Sequence, residues 1–176
     1  MWNLIFRRIL PFALMCAFAL PSHAQLRHID LNPGAFEGVS VSGDFVLSVF
    51  EGDSCSVSLD VSEEFTEFMS AQVIDSVLVL SLDEKNDLGE IWKKFRGRNA
   101  PAAVFRASVT MPRGLKSISI GGNAVLDSLG NVVDSSSFSL SVKDNASVSG
   151  VSLCARDVSL MLSKKGKADV SIACDT

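Results

Sequence analysis

Serine alternates with apolar residues along much of this chain, and this alternation limits the folds that the chain can adopt. The pattern is clearest at residues 54–59, 117–120 and 137–142. A period of two is the period of a β-strand, whose successive side chains point to opposite faces of a sheet. Each strand then has one apolar face for a core and one face of small hydroxyls for water. The sequence therefore predicts an all-β protein.

Residues 1–24 have the features of a secretory signal peptide. Arg7 and Arg8 precede an apolar run of twelve residues, which is too short to span a bilayer core of roughly 30 Å. Small residues precede the end of this segment and favour cleavage between Ala24 and Gln25. We therefore expect an exported protein, with the periplasm, the outer-membrane surface and the extracellular space as its open destinations.

Removal of the signal peptide changes the charge of the chain. It leaves 14 basic and 20 acidic residues, a net charge of −6. An acidic chain disfavours a nucleic-acid partner, because such a partner requires a basic surface. No later apolar run approaches about eighteen residues, so we do not expect an integral helical membrane protein.

The rest of the chain reads as a short lead-in, residues 25–35, and one domain, residues 36–176. Within the domain, residues 83–103 are rich in charge and glycine and lose the alternation. This composition is typical of a long surface loop or of a joint between two subregions. We expect Trp92 and Phe95 to hold this segment against the body of the protein.

Before that segment, strands alternate with tight turns. A break in the alternation follows Ser62, whose hydroxyl could cap a single helical turn. The predicted strands are residues 39–41, 45–50, 55–61, 71–74 and 77–82.

After that segment, the alternation becomes a repeat. Three alanines are spaced by 22 and 22 residues, namely Ala124, Ala146 and Ala168. The strands that precede them are spaced by 22 and then 20 residues. Coils of about 20–22 residues predict a β-solenoid in the C-terminal half. In such a fold, neighbouring coils place one interior column of side chains about 4.8 Å apart, namely Ile118, Leu140 and Leu160. A β-sandwich with accidental spacing is the alternative.

Four segments, taken in order, resemble the head GIN domain family of auto-transporter adhesins, found in secreted proteins of Bacteroidetes-type bacteria. They are residues 36–43 (FEGVSVSG), 46–52 (VLSVFEG), 73–80 (VIDSVLVL) and 109–118 (VTMPRGLKSI). The resemblance covers about residues 30 to 176. It implies a single domain with a right-handed β-helix-like fold on the cell envelope, an adhesive or binding role and no catalytic residues.

One departure from the family concerns the C-terminal coils. Family members usually continue through further coils, whereas this sequence stops just after a strand. We therefore expect the last coil to be incomplete. Two alternatives stay open: the chain is a truncated family member, or its open edge is a template for pairing and allows edge-to-edge assembly through the C-terminal coil.

The residues that catalysis or metal binding requires are poorly represented. Acidic residues lie mainly in turns, and no two recur on one strand face as a glycosidase requires. No spacing typical of zinc ligands occurs. His28, the single histidine of the mature chain, lies near the N-terminus, where we expect disorder. A Ser/His/Asp triad would have to use it, and no nucleophile elbow is present. We therefore predict no catalytic residue, no metal site and no cofactor.

Two basic clusters are candidates for binding anions. The first surrounds an aromatic residue in the long loop and predicts a site for an anionic glycan or a lipid headgroup, with Lys93, Lys94, Phe95, Arg96 and Arg98 as its members. The second flanks Gly166 on a turn and comprises Lys164, Lys165 and Lys167. Solvated loop charge is the alternative interpretation of both clusters.

Cysteine spacing leaves two alternatives open. Cys154 and Cys174 are 20 residues apart. A last coil of 20 residues would stack them about 4.8 Å apart, within reach of a disulfide, whereas a coil of 22 residues would separate them too far. The alternative is that both are small buried hydrophobic side chains. Cys55 has no evident partner.

The sequence thus predicts a non-enzymatic binding module or adhesin of the cell envelope, with an envelope or host glycan, or a protein surface, as its partner. A carbohydrate-active enzyme on a β-helix is the first alternative, and a structural envelope component is the second.

Overall fold

The computed structural model describes residues 25–82, 88–96, 100, 102–134 and 136–172. Within these residues, strands dominate, as the alternation predicts. The strands are β1 Leu26–Leu31, β2 Gly38–Gly43, β3 Val46–Glu51, β4 Ser56–Ser62, β5 Met69–Ile74, β6 Val77–Leu82, β7 Phe105–Met111, β8 Ser117–Gly122, β9 Val125–Leu129, β10 Ser137–Val142, β11 Ser147–Leu153, β12 Asp157–Leu162 and β13 Lys167–Ile172. A 3₁₀ helix, Glu63–Phe68, and one α-helix, α1 Leu88–Lys94, complete the described elements.

The strands form two mixed sheets. A seven-stranded sheet has the order β1-β4-β7-β3-β9-β11-β13, and a six-stranded sheet has the order β12-β10-β8-β2-β6-β5. Antiparallel pairs occur at one end of each sheet, where β4 pairs with β1 and β7, and β5 pairs with β6. From β8 to β13 the chain alternates between the sheets. Strands β8, β10 and β12 join the six-stranded sheet, and β9, β11 and β13 join the seven-stranded sheet, all in parallel.

The register of the parallel strands confirms the predicted spacing of 22 and then 20 residues. Ile118 lies opposite Leu140, and Leu140 lies opposite Leu160. Ile118 and Leu140 are buried, but Leu160 is 47% exposed. The prediction that Leu160 is an interior residue is therefore wrong, because β12 is the last strand of its sheet and nothing in the described residues covers it.

The alanine repeat fails at its third member. Lys167 lies opposite Ser147, and Ala168 lies opposite Val148, so Gly166 takes the place equivalent to Ala146. The turns 143–146 and 163–166 have equal lengths. A glycine fits at this place because a Cβ on Gly166 would lie 2.6 Å from the Val142 carbonyl oxygen.

Buried side chains from both sheets form one hydrophobic cluster. At the antiparallel end, the cluster includes an aromatic group around Phe65 of the 3₁₀ helix. The ring centroid of Phe65 lies 4.7 Å from Trp92, 5.1 Å from Phe95 and 5.0 Å from Phe105. The prediction that Trp92 and Phe95 hold the charged segment on the body is confirmed, although the segment contains α1 rather than a loop alone.

Two local predictions need correction. The helical turn after Ser62 exists, but the Ser62 hydroxyl does not cap it. Ser62 is fully buried, and its Oγ accepts a hydrogen bond of 2.9 Å from the Val104 N–H across the sheet. His28 is not disordered, because β1 pairs with β4 in a continuous antiparallel register.

Some sequence predictions lie outside the described residues. They concern the signal peptide up to Ala24, Arg98 of the first basic cluster and Cys174. Across the part of the chain that is described, no helix is long and apolar enough to cross a membrane.

Candidate binding surface

A row of serines crosses the outer face of the seven-stranded sheet. One serine comes from each of four neighbouring strands, and consecutive members lie opposite each other in the register, in the order Ser58, Ser108, Ser48 and Ser128. Because neighbouring strands lie about 4.8 Å apart, the row extends over roughly 14 Å. Each hydroxyl both donates and accepts hydrogen bonds, so the row presents polar groups without charge.

An exposed aromatic ring lies beside this row. Phe50 follows Ser48 by two residues on β3 and therefore lies on the same face. It is 44% exposed and is the one exposed aromatic residue in the part of the chain that the structure describes. Since β3 is the central strand of its sheet, the backbone beneath the ring is held on both sides.

The residues beside Phe50 on the two neighbouring strands have small side chains or none. Thr110 lies opposite Phe50 on β7. On the other side, the Gly130 N–H donates a hydrogen bond of 2.8 Å to the Val49 carbonyl, and Gly130 has no side chain to cover the ring. Beyond the strand end, Arg113 Nε lies 3.0 Å from Glu51 Oε1. We call this surface the Phe50 face. It comprises the ring of Phe50, the hydroxyls of Ser48, Ser108 and Thr110, and the ion pair between Glu51 and Arg113 at its rim.

A histidine cluster lies at the β1 end of the same sheet face. His28 Nδ1 lies 2.7 Å from Asp60 Oδ1, and His28 Nε2 lies 3.2 Å from both Asp30 Oδ1 and Ser58 Oγ. The hydrogen bond to Asp60, together with the charge of Asp30, raises the pKa of His28 above its ordinary value. The sequence did not reveal this cluster, because its members come together only through the unpredicted pairing of β1 with β4.

The order Ser58, His28, Asp60 is that of a hydrolase triad, but its surroundings do not suit acyl transfer. The side chain of His28 is 60% exposed, and its Nε2, the atom that would take the serine proton, also lies 3.2 Å from Asp30 Oδ1, so Asp30 competes with Ser58 for it. Strand β4 is paired on both sides, so its amides are engaged in the sheet rather than directed at an oxyanion. The cluster therefore acts structurally, as a link between β1 and β4.

The first basic cluster is divided among different environments. Lys93 forms an ion pair with Glu90 on the same helix. Phe95 is partly buried and packs against Phe65 of the core. Lys94 and Arg96 are exposed. Glycan binding by this segment stays a prediction.

In the second basic cluster, Lys164 has a local partner. Its ammonium contacts Asp144 of the preceding turn. This contact lowers the pKa of Asp144, and the Gly122 N–H that donates to the same carboxylate acts in the same direction. Lys164 thus stabilises the stacked turns.

A shallow depression of about 510 Å³ lies on the six-stranded sheet, between Lys116 and Arg156. Its lining includes Ser139 and Ser159, which lie opposite each other on β10 and β12. Lys116 Nζ donates a hydrogen bond of 2.7 Å to Glu37 Oε2, so much of its charge is compensated. Among the residues that the structure describes, no group of three or more His, Cys, Asp or Glu side chains is placed to hold a metal ion.

The cysteines bear on the disulfide prediction only in part. Cys154 is exposed, and Cys55 is partly buried. Leu153 lies opposite Ile172, an offset of 19 residues, so the 20-residue spacing that the prediction required does not hold at the last described pair. A bond between Cys154 and Cys174 stays a prediction.

The family model described as "Putative auto-transporter adhesin, head GIN domain" matches residues 35–176. No curated protein matches the sequence.

Three crystal structures have similar folds. A "putative adhesin" from Bacteroides fragilis has a TM-score of 0.62 at 17% identity, covering 85% of this chain and 62% of that one. A "putative adhesin" from Parabacteroides merdae has a TM-score of 0.54 at 13% identity, covering 86% and 58%. A "putative lipid binding protein" from Parabacteroides distasonis has a TM-score of 0.54 at 11% identity, covering 85% and 60%. This chain thus spans about three fifths of the length of each.

Proposed function

Because this chain belongs to the family of auto-transporter adhesin head GIN domains, we propose that it is an exported, non-enzymatic binding module of the cell envelope, with a glycan as its ligand. The observation that carries this proposal is the exposed ring of Phe50 beside a row of serine hydroxyls on a rigid sheet. The ring gives a face that is otherwise lined by hydroxyls one apolar group on which a ligand can pack.

The Phe50 face suits a pyranose ring better than it suits a charged or purely apolar ligand. One face of a pyranose carries C–H groups that pack on an aromatic ring, and its edge carries hydroxyls that pair with Ser48, Ser108 and Thr110. Each such hydrogen bond contributes only about 0.5–1.5 kcal/mol. A single contact is therefore weak, and useful adhesion relies on many copies acting together.

The scaffold that we propose for this function is a right-handed β-solenoid with coils of about 20–22 residues in the C-terminal half. The alternation of β8 to β13 between two sheets and their parallel registers support it. A stacked scaffold holds its outer faces in fixed register, which suits a repetitive ligand such as a polysaccharide.

The basic segment is a second contact within the same proposal. Lys94 and Arg96 are exposed on a segment that the Phe65 aromatic group holds in place. Arg98, which lies outside the described residues, belongs to the same proposed contact. Their charge would favour an acidic glycan over a neutral one. Replacing the basic residues by serine should then reduce binding to acidic glycans while leaving neutral ones unchanged.

A glycan array run in parallel with a polysaccharide-cleavage assay tests the function. The expected result is retention of at least one glycan class without cleavage, and loss of most of that retention in Phe50→Ala. Ile74→Ala is the matched control, because Ile74 is 52% exposed on the other sheet. Cleavage without retention would favour an enzyme on a β-helix. Neither activity would favour a structural envelope component, which a pull-down of envelope partners would then identify.

The export part of the proposal has a separate test. Cell fractionation combined with protease treatment of intact cells should find the chain in the periplasm, on the surface or in the medium, with Gln25 as its first residue. Recovery of the intact chain from the cytoplasm would contradict export.

A further inference from the structure

Beyond the Phe50 face, strand β3 carries a second exposed apolar side chain. Val46 lies on the same side of the sheet as Phe50, and the two side chains are 37% and 44% exposed. Ser48 lies between them and is opposite Ser108 of β7. Because each residue of a strand adds about 3.3 Å, the Cα atoms of Val46 and Phe50 are roughly 13 Å apart. An extended disaccharide spans such a distance, with one sugar over each apolar contact and serine hydroxyls beneath the link.

An arginine lies beside Val46 at this end of β3. Arg106 of β7 is opposite Val46 in the register and is exposed. On its other side, Arg106 is opposite Asp60 of β4, but Asp60 Oδ1 lies 2.7 Å from His28 Nδ1 instead. Among the residues that the structure describes, no carboxylate forms an ion pair with Arg106. Its guanidinium is thus available to an anionic group of a ligand.

We propose that the glycan carries a uronic acid next to the neutral sugar that packs on Phe50, with the uronic acid ring on Val46 and its carboxylate on Arg106. This assignment rests on the glycan binding proposed above and specifies the ligand of the same face. A guanidinium suits the role, because its parallel N–H donors match the two oxygens of a carboxylate. The hydroxyls of Ser48 and Ser108 then pair with sugar hydroxyls near the glycosidic link.

The other charges on this side of the sheet favour one placement of the acidic sugar. Asp127 is exposed on β9, on the side of β3 away from β7, where it would repel a carboxylate. At the Phe50 end of β3, Arg113 is already paired with Glu51. The carboxylate is therefore best placed toward Arg106, which sets the direction of the glycan along β3.

Matched acidic and neutral oligosaccharides test the proposal. The probes are tetrasaccharides in which glucuronic or galacturonic acid alternates with a neutral hexose, and the same tetrasaccharides after reduction of each carboxylate to an alcohol. Isothermal titration of the wild-type chain should give an affinity for the best acidic probe roughly tenfold or more above that for its reduced form. Raising the salt concentration from about 0.05 M to about 0.5 M should remove most of this difference, because salt screens an exposed charge pair.

Two arginine variants provide the second readout. Arg106→Gln should lower the affinity for the acidic probe to that for its reduced form, and the affinity for the reduced form should not change. Arg27→Gln is the matched control and should keep the preference for the acidic probe. Arg27 is exposed on β1, and its alternation with His28 places it on the other face of the sheet. Both arginines are exposed, so circular dichroism should show unchanged folding of both variants.

Failure of this assignment can be told apart from failure of glycan binding itself. Equal affinity of the wild-type chain for both forms, with both lost in Phe50→Ala, would overturn the acidic sugar and leave glycan binding in place. A preference for the acidic probe that persists in Arg106→Gln, or that disappears instead in Lys94→Ser with Arg96→Ser, would also overturn it. Absence of binding to every tetrasaccharide would overturn the assignment alone, since the glycan array tests the proposed function independently.

Discussion

His28 connects the first strand of the chain to the rest of the sheet through charge. Asp60 and Asp30 lie on opposite sides of its ring, and both favour the protonated form. Among the described strands, β1 pairs with β4 alone. Protonation of His28 therefore influences how firmly β1 is held in the sheet.

The raised pKa of His28 predicts a pH dependence with a defined sign. A group whose pKa is higher in the folded chain stabilises the fold fully below its unfolded value of 6.5. That stabilisation disappears as the pH rises through the higher folded value. Hydrogen exchange of the β1 amides should therefore accelerate above pH 6.5. The acceleration should exceed the rise in exchange rate that an unprotected amide shows over the same pH range. In His28→Asn this extra acceleration should vanish, and its persistence there would contradict the assignment.

Ser62 shows a second effect of a single side chain. Because its hydroxyl is buried and accepts the Val104 N–H, Ser62→Ala leaves a partly buried donor without this partner. We expect a loss of about 1–3 kcal/mol in the free energy of unfolding, measured by urea denaturation. Ser56→Ala, at an exposed position on the same strand, should change it by less than about 0.5 kcal/mol. Equal effects of the two substitutions would contradict the role of this hydrogen bond.

At the scale of the element, the turns stack as regularly as the strands. Gly43, Gly122, Asp144 and Lys164 occupy equivalent turn positions, and all have positive φ values. The first two are glycines, and the other two are held by their mutual ion pair. A column of residues with positive φ thus lies at the turns that lead from the six-stranded sheet to the seven-stranded sheet.

A comparison of two glycines tests the closeness of this stacking. Gly122 and Gly150 both have positive φ, but only at Gly122 would a Cβ meet backbone, 2.9 Å from the Gly43 nitrogen. Gly150→Ala should cost about 1 kcal/mol through backbone strain alone. Gly122→Ala should cost at least about 1 kcal/mol more in thermal or chemical unfolding. A similar cost for both would mean that the turns are less tightly stacked.

The interior column predicts another contrast. Leu140 is fully buried between β8 and β12, so Leu140→Ala should lower the free energy of unfolding by about 2–5 kcal/mol. Ile74→Ala removes a side chain that is 52% exposed and should cost about 1 kcal/mol or less. Urea titration of both variants measures the difference. A small effect of Leu140→Ala would contradict the stacked column.

The alternation was sufficient to predict the regular strands, because inward-facing residues there are apolar at every second position. It failed where the signal is short or where the register shifts. Strand β1 mixes charged and apolar residues, and α1 buries only Leu88. The register between β11 and β13 shifts by one residue after Val148, which spacing along the sequence could not reveal. The sequence did not predict the Phe50 face, because the exposure of Phe50 depends on which strands lie beside β3 in the sheet.

At the scale of the whole molecule, the two ends differ. The antiparallel end has the 3₁₀ helix, α1 and the Phe65 aromatic group packed at it. Within the described residues, the parallel end carries exposed leucines and two strands, β12 and β13, that are each paired on one side. Between these ends, the outer face of the seven-stranded sheet carries the Phe50 face. The family resemblance predicted this general arrangement, whereas the choice of face required the structure.

Chemical-shift mapping tests most directly whether the Phe50 face is the binding surface. A glycan retained on the array is titrated into ¹⁵N-labelled protein. The predicted result is a set of shifts confined to β3 and the neighbouring parts of β7 and β9, centred on Phe50 and absent in Phe50→Ala. Shifts centred on the six-stranded sheet or near Lys116 and Arg156, with none at Phe50, would contradict the account.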